Sequence, residues 1–275
     1  MANARSGKIF YGWWVVAGGF IMMATCYTIF LNCMSLFQPL IVSDLGITLG
    51  QYNMASSCST LVSIVGALFV GSLVDRFSGR VLGAVSVILC SAVLVGFSYL
   101  SGLWQLFVLF AIAGLVVVSG TRLLISIITA NWFTLKRGLA VSVALSGSGF
   151  GGALLSPFVS SLITTYGWRP AFLALALVCL VLALPLAALT FHTRPSDIGL
   201  APYGAGQARD ARAAGTAEEP VRVAVGWSRV KGHPSFWLLV AAFVIMGVIN
   251  GAVLPNQVTN MTAVTLDGAQ IVTGG

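Results

Sequence analysis

One cation stands inside a long apolar run. Arg122 falls near the middle of the stretch from about Gln105 to Phe133, and no Asp or Glu lies inside the first six such runs. A guanidinium at membrane depth costs several kcal/mol unless it is paired or hydrated. Ser119, Ser126 and Thr129 share its helical face and suggest a wet lining. The chemistry this allows is anion recognition, with the planar guanidinium taking a carboxylate through two parallel hydrogen bonds. The alternative is an arginine satisfied by carbonyls or hydroxyls of adjacent helices. A second polar group stands in the first run: Thr25, Thr28, Asn32 and Ser35, spaced to share one face. That stripe is either the wall of a substrate cavity or a set of helix–helix hydrogen bonds. Gln38 at the end of the first run and Asn250 in a seventh run complete the candidate substrate contacts.

Membrane helices must carry these groups. The chain has 275 residues, 58% hydrophobic and 8% charged, where soluble domains have about 25% charged, and its mean hydropathy is +0.97. Apolar runs of about Trp13–Phe37, Tyr52–Val74, Val81–Ser101, Gln105–Phe133, a glycine- and serine-rich fifth, Ala171–Phe191 and Phe236–Val258 are each long enough to span. Arg5 and Lys8 precede the first run, Arg76 and Arg80 follow the second, and Lys136 and Arg137 follow the fourth. Arg194, Arg209, Arg212, Arg222, Arg229 and Lys231 follow the sixth, and Arg169 alone falls on the other side. The positive-inside rule then places the N-terminus in the cytoplasm. In the fifth run Ser142, Ser146, Gly149, Ala153, Ser156 and Ser160 form a small-residue face, suited to rocking or to static packing.

Composition excludes several classes. The net charge of +7 sits in loops on one side, a topology signal and not a nucleic-acid footprint. The first run is too long for a signal peptide and has no small-residue cleavage pattern. Cys26, Cys33, Cys58, Cys90 and Cys179 all lie in apolar runs and read as packing residues, while His192 and His233 lack ligand company. No cofactor and no metal are expected. An intramembrane enzyme needs His, Lys or a carboxylate at depth beside a nucleophile, and the runs have serines without such a partner. No lysine occurs after Lys231, which excludes retinal attachment in the seventh run, and a cytoplasmic N-terminus argues against ordinary seven-span receptors.

Gly71-Ser-Leu-Val-Asp75-Arg76-Phe-Ser-Gly-Arg80, between the second and third runs, resembles the signature loop of major facilitator superfamily transporters at Gly71, Leu73, Asp75, Arg76 and Arg80. It departs at Ser78, where the family usually has glycine. The resemblance implies a loop that latches two halves shut, and Gly71 suits close helix approach. Trp132, Phe133, Lys136, Arg137, Leu139, Ala140, Ser146, Gly147 and Gly151 resemble the monocarboxylate carriers and the bacterial oxalate/formate antiporter-like group. Tyr11-Gly12-Trp13-Trp14, Gly167-Trp168-Arg169 and Arg194-Pro195-Ser196-Asp197-Ile198-Gly199-Leu200 are similar to the same group. Gln38 stands where proton-coupled animal members have lysine, which puts proton–lactate symport in doubt.

The resemblance implies an all-α polytopic membrane protein of the major facilitator fold. Residues 1–191 form the N-terminal six-span bundle, 192–234 a cytoplasmic linker, and 235–275 the seventh span and the start of an incomplete second bundle. Such a chain is expected to need its missing C-terminal bundle for transport. The implied function is secondary transport of a small organic anion, a mono- or dicarboxylate, with a proton or a counter-anion as the coupled species. The implied site is the plasma membrane, the inner membrane in a bacterium. The alternative is a seven-span receptor or sensor, or an inactive half-carrier.

Overall fold

The computed structural model describes residues 10–206 and 234–253, except for the side chains of 118, 119, 248 and 250–253. Among the described residues six helices are long and apolar enough to cross a membrane: α1 (Gly12–Leu45), α2 (Leu49–Arg76), α3 (Gly79–Ser98), α4 (Leu103–Trp132), α5 (Arg137–Tyr166) and α6 (Trp168–Thr190). A seventh helix, α7 (Pro234–Val253), belongs to a separate unit.

The turns between helices are built from local caps. Thr48 accepts from the Gln51 backbone N–H while the Gln51 side chain accepts from the Thr48 N–H, a reciprocal cap that starts α2. The hydroxyl of Ser78 accepts from the Val81 N–H and starts α3 in extended geometry. The family's glycine is therefore replaced by a capping residue, at a position that needs no left-handed backbone. Lys136, with φ 57°, is the one non-glycine residue of positive φ among the described residues and opens α5.

Gln38 and Pro39 do not end the first span. Pro39 lacks a donor and leaves the Ser35 carbonyl without its helical bond, yet α1 continues to Leu45 and stops at left-handed Gly46 (φ 61°). This extension carries Asp44 to Arg169 at 2.8 Å. Arg169 also lies 4.5 Å from the centroid of Trp168 and donates to the Ser98 carbonyl. The one loop arginine that breaks the charge pattern is thus used to tie α1, α3 and α6 together.

Close packing runs through glycines. A Cβ at Gly147 or Gly151 of α5 would strike the Phe20 or Ala24 carbonyl of α1, and one at Gly114 of α4 would strike the Ser59 carbonyl of α2. The face of α5 that packs is Ala140, Ala144, Gly147 and Gly151. Ser142, Ser146, Gly149, Ala153 and Ser160, the small-residue face expected from spacing, are exposed within the bundle and Ser156 is half-buried. Gly71 makes no close approach, since nothing among the described residues lies within 4 Å of a Cβ placed there. Aromatic rings link the helices at the other end of the bundle. Phe37 stacks on Phe172 at 4.0 Å, Phe172 on Phe97 at 5.4 Å, and Phe97 meets Phe110 edge-on at 5.3 Å.

By packing, the first unit runs on to Gly206. Residues 192–206 are largely exposed, as a linker would be, yet several of them bond to the bundle. The Gly79 N–H donates to Thr193 Oγ1 at 2.6 Å, the Trp132 Nε1–H donates to the His192 carbonyl at 2.8 Å, and Asn131 donates to the Thr193 carbonyl. Thr193→Val would orphan the Gly79 N–H in a buried site, a loss of about 1–3 kcal/mol. Thr193→Ser is expected to restore most of it, read as the unfolding midpoint in detergent.

Candidate functional site

The structure places Arg122 where α4 is wound out. Leu115–Leu123 is π-helical, and so are Met23–Tyr27 and Ile29–Cys33 of α1. Each such turn holds an extra residue, shifts the register of everything beyond it and recurs at functional sites. The wound-out segments of α1 and α4 pack against one another. There Arg122 Nη1 donates to Tyr27 Oη at 3.4 Å. The guanidinium is exposed and Tyr27 is buried. Among the described residues the ion pairs are Arg169–Asp44 and Arg194–Asp75, so neither satisfies Arg122. One long bond to a neutral phenol leaves most of its five N–H donors for another acceptor.

Ser126 stands one turn along, half-buried, its hydroxyl donating to the Arg122 carbonyl at 2.8 Å. Arg122 and Tyr27 therefore meet across two helices, and Ser126 follows one turn along α4. Thr129, expected on the same face, is 1% exposed, with its Oγ1 unpartnered among the described residues. The side chain of Ser119 lies outside the described residues.

The polar stripe of α1 does not line the same wall. Thr28 is fully buried and its hydroxyl lies 2.9 Å from the Met23 carbonyl and 3.0 Å from that of Ser148. Asn32 donates to the same Ser148 carbonyl at 3.3 Å, while Thr25 and Ser35 bond to carbonyls of α1 itself. Thr28 and Asn32 thus pin α1 to α5. Gln38, 1% exposed, donates to Asn53 Oδ1 at 3.1 Å and joins α1 to α2. The side chain of Asn250, in α7, lies outside the described residues. Tyr27 escaped the sequence reading; its signal was a lone tyrosine in mid-run.

The basic loops meet at one end of the bundle. Asp75 lies 3.5 Å from Arg194, both largely exposed, and Arg80 donates to the Leu189 carbonyl at 3.4 Å. Arg76 and Arg137 are exposed. Beyond Arg194, a single 3₁₀ turn (Pro195–Ile198) sends the chain on to Tyr203. The Tyr203 N–H donates to the Trp132 carbonyl, and the Tyr203 carbonyl accepts from the backbone and hydroxyl of Thr134, beside Lys136. One segment after α6 therefore fastens both signature loops, the one holding Asp75 and the one holding Lys136 and Arg137.

His192 sits at the centre of this fastening. Its Nδ1–H faces Tyr11 Oη at 3.2 Å, and the Tyr11 hydroxyl donates to the Leu189 carbonyl at 2.9 Å. Burial first, then the neighbouring Arg80 charge, hold its pKa below the usual value, against the opposing Thr190 carbonyl and Asp197. A depressed histidine means the unfolded chain binds the proton more readily, so stability rises with pH. The contribution is complete above about pH 6.5 and shrinks as pH falls through that value toward the lower folded one. The thermal midpoint is expected to drop between pH 7.5 and 5.5, and to drop less in His192→Gln.

The family model described as "Major Facilitator Superfamily" matches residues 16–269. The chain belongs to that superfamily, and its six apolar helices make it a multi-pass membrane protein of the all-α major facilitator fold. It is similar to the riboflavin transporter RibJ of Trypanosoma brucei brucei, 30% identical over 183 residues, covering 62% of this chain and 32% of that protein. It is also similar to the multidrug resistance protein MdtG of a Rahnella species, 34% identical over 160 residues (54% and 38% of the two chains). Human monocarboxylate transporter 12 is 28% identical over 200 residues, covering 68% of this chain and 37% of that one. The matches thus span about a third of the length of these curated relatives.

Proposed function

We propose that this bundle is one half of a secondary transporter for a small organic anion, a mono- or dicarboxylate, working by alternating access. One observation carries the reading: Arg122 is an exposed guanidinium at mid-helix with a single long bond to Tyr27 and no carboxylate partner among the described residues. In a membrane helix such a group faces a watery cavity and not lipid, and a cavity with this charge favours anions. Relatives named for riboflavin, multidrug resistance and monocarboxylates share the fold, so the charge at Arg122 and the monocarboxylate transporter relatives supply the substrate class.

Arg122 holds the carboxylate, Tyr27 orients the guanidinium and Ser126 lines its approach. Asn32 edges the cavity at the α1–α5 seam, Thr28 supports that seam from within, and Gln38 contributes a polar contact farther along the path. The exposed small-residue face of α5 takes a second bundle. Gly71, Asp75, Arg76, Arg80, Lys136 and Arg137 form the gate at the basic end, with Asp75 drawn toward or away from Arg194 as the gate works. The basic end lies in the cytoplasm of a cell whose plasma membrane, the inner membrane in a bacterium, holds the protein. Gln38 is neutral and buried against Asn53, which favours exchange of one anion for another over proton symport.

The test is uptake of radiolabelled mono- and dicarboxylates into proteoliposomes holding the carrier with both bundles assembled. Saturable uptake of carboxylates, undiminished by their neutral amides, is the expected result. Transport of cations or of amides in their place would refute it.

A further inference from the structure

Cys26, Cys90 and Cys179 come from α1, α3 and α6 and stand far apart in the sequence. The fold brings their Sγ atoms together, all within 4.8 Å of one another. All are free thiols, 0%, 1% and 0% exposed in that order. Two sit on wound-out turns: Cys26 lies within Met23–Tyr27 and Cys179 opens the π-helical turn Cys179–Ala183. An extra residue per turn re-aims the side chains it carries, and here both turns face the same point. The Thr25 hydroxyl lies 3.8 Å from Cys26 Sγ, with its proton on the Ile21 carbonyl at 2.8 Å.

We propose that Cys26, Cys90 and Cys179 form a buried three-sulfur site for one soft monovalent metal ion of the copper(I)/silver(I) class. Three sulfurs at about 2.3 Å from a central metal lie about 4 Å from one another, so the separations of up to 4.8 Å close with shifts under about 1 Å. The donor set selects the ion. Hard cations take oxygen ligands and zinc takes four donors, whereas the cluster offers three sulfurs among the described residues. Soft sulfur ligands suit copper(I). Charge selects it again, because a net charge in this apolar interior is costly. One monovalent ion displacing one thiol proton leaves the site uncharged, with that thiolate as the strong ligand and the two neutral thiols as weaker sulfur donors. The sulfurs are sealed from solvent, so the ion enters as the bundle assembles.

The experiment expresses the full protein with silver(I) or copper(I) supplied to the cells, purifies it without oxygen, and counts metal per chain. One equivalent is expected, with an X-ray absorption spectrum showing sulfur neighbours alone. Cys26→Ala, Cys90→Ala and Cys179→Ala should each fall to background, while Cys33→Ala and Cys58→Ala retain the metal. An unloaded wild type whose five thiols all titrate after denaturation would overturn the site and identify simple packing. Nitrogen or oxygen neighbours, or full loading in Cys90→Ala, would do the same. The wild-type spectrum decides the matter even where an alanine variant fails to fold.

Discussion

Arg122→Ala is expected to lower carboxylate uptake by about 100-fold at equal membrane abundance. Removing one member of a desolvated, hydrogen-bonded charge pair costs about 2–5 kcal/mol, and about 2.8 kcal/mol is already 100-fold. Arg122→Lys keeps the charge but loses the planar fork, so it should retain about a tenth of the rate, since one lost charge-assisted bond is worth about 1.5 kcal/mol or more. Tyr27→Phe removes only the phenol at 3.4 Å and should cost a few-fold. None of these changes should harm folding, because Arg122 is exposed and bonded once within the bundle. The check is the initial rate of uptake beside the unfolding midpoint of each variant. Undiminished uptake in Arg122→Ala would remove Arg122 from the substrate path.

The largest effect on stability is expected at the α1–α5 seam. Gly147 and Gly151 lie one turn apart on the buried face of α5, and a Cβ at either would collide with a backbone carbonyl of α1. Backbone cannot step aside as a flexible side chain can, so a larger residue must separate the helices. Separation would also stretch the bonds from Thr28 and Asn32 to the Ser148 carbonyl. Gly147→Leu is therefore expected to cost about 3 kcal/mol or more, read as a lost or sharply lowered unfolding transition in detergent. Gly149→Leu is the matched control, because nothing lies within 4 Å of a Cβ there. Equal stability of the two variants would contradict the seam.

Hydropathy alone located six of these helices, because each is a long apolar run and, Arg122 apart, the charges lie at helix ends and in turns. The ends were less legible. Pro39 reads as a stop, yet α1 passes through it and carries Asp44 to Arg169. Arg122 was legible as the candidate site because a lone cation in an apolar run has few physical explanations. Tyr27 was not, since only tertiary packing of two wound-out segments brings its hydroxyl to the guanidinium. The polar face that carries Thr28 fits either a cavity wall or a helix–helix bond, and only tertiary packing, which buries Thr28 against α5, shows the bond. Residues 192–206 have the composition of a linker. They are anchored by backbone and short side-chain bonds to Gly79, Trp132 and Thr134, which composition does not encode. The three-cysteine cluster was invisible for a related reason, since spacing along one helix cannot reveal a meeting of three.

The most direct measurement is the accessibility of position 126, one turn from Arg122 and half-buried beside it. In Ser126→Cys carrier, a membrane-impermeant thiol reagent should label this position. A saturating small carboxylate should slow the labelling, its neutral amide should not, and Arg122→Gln should abolish the protection. Labelling indifferent to carboxylates while uptake continues, or no labelling from either side of the membrane, would contradict an anion site at Arg122.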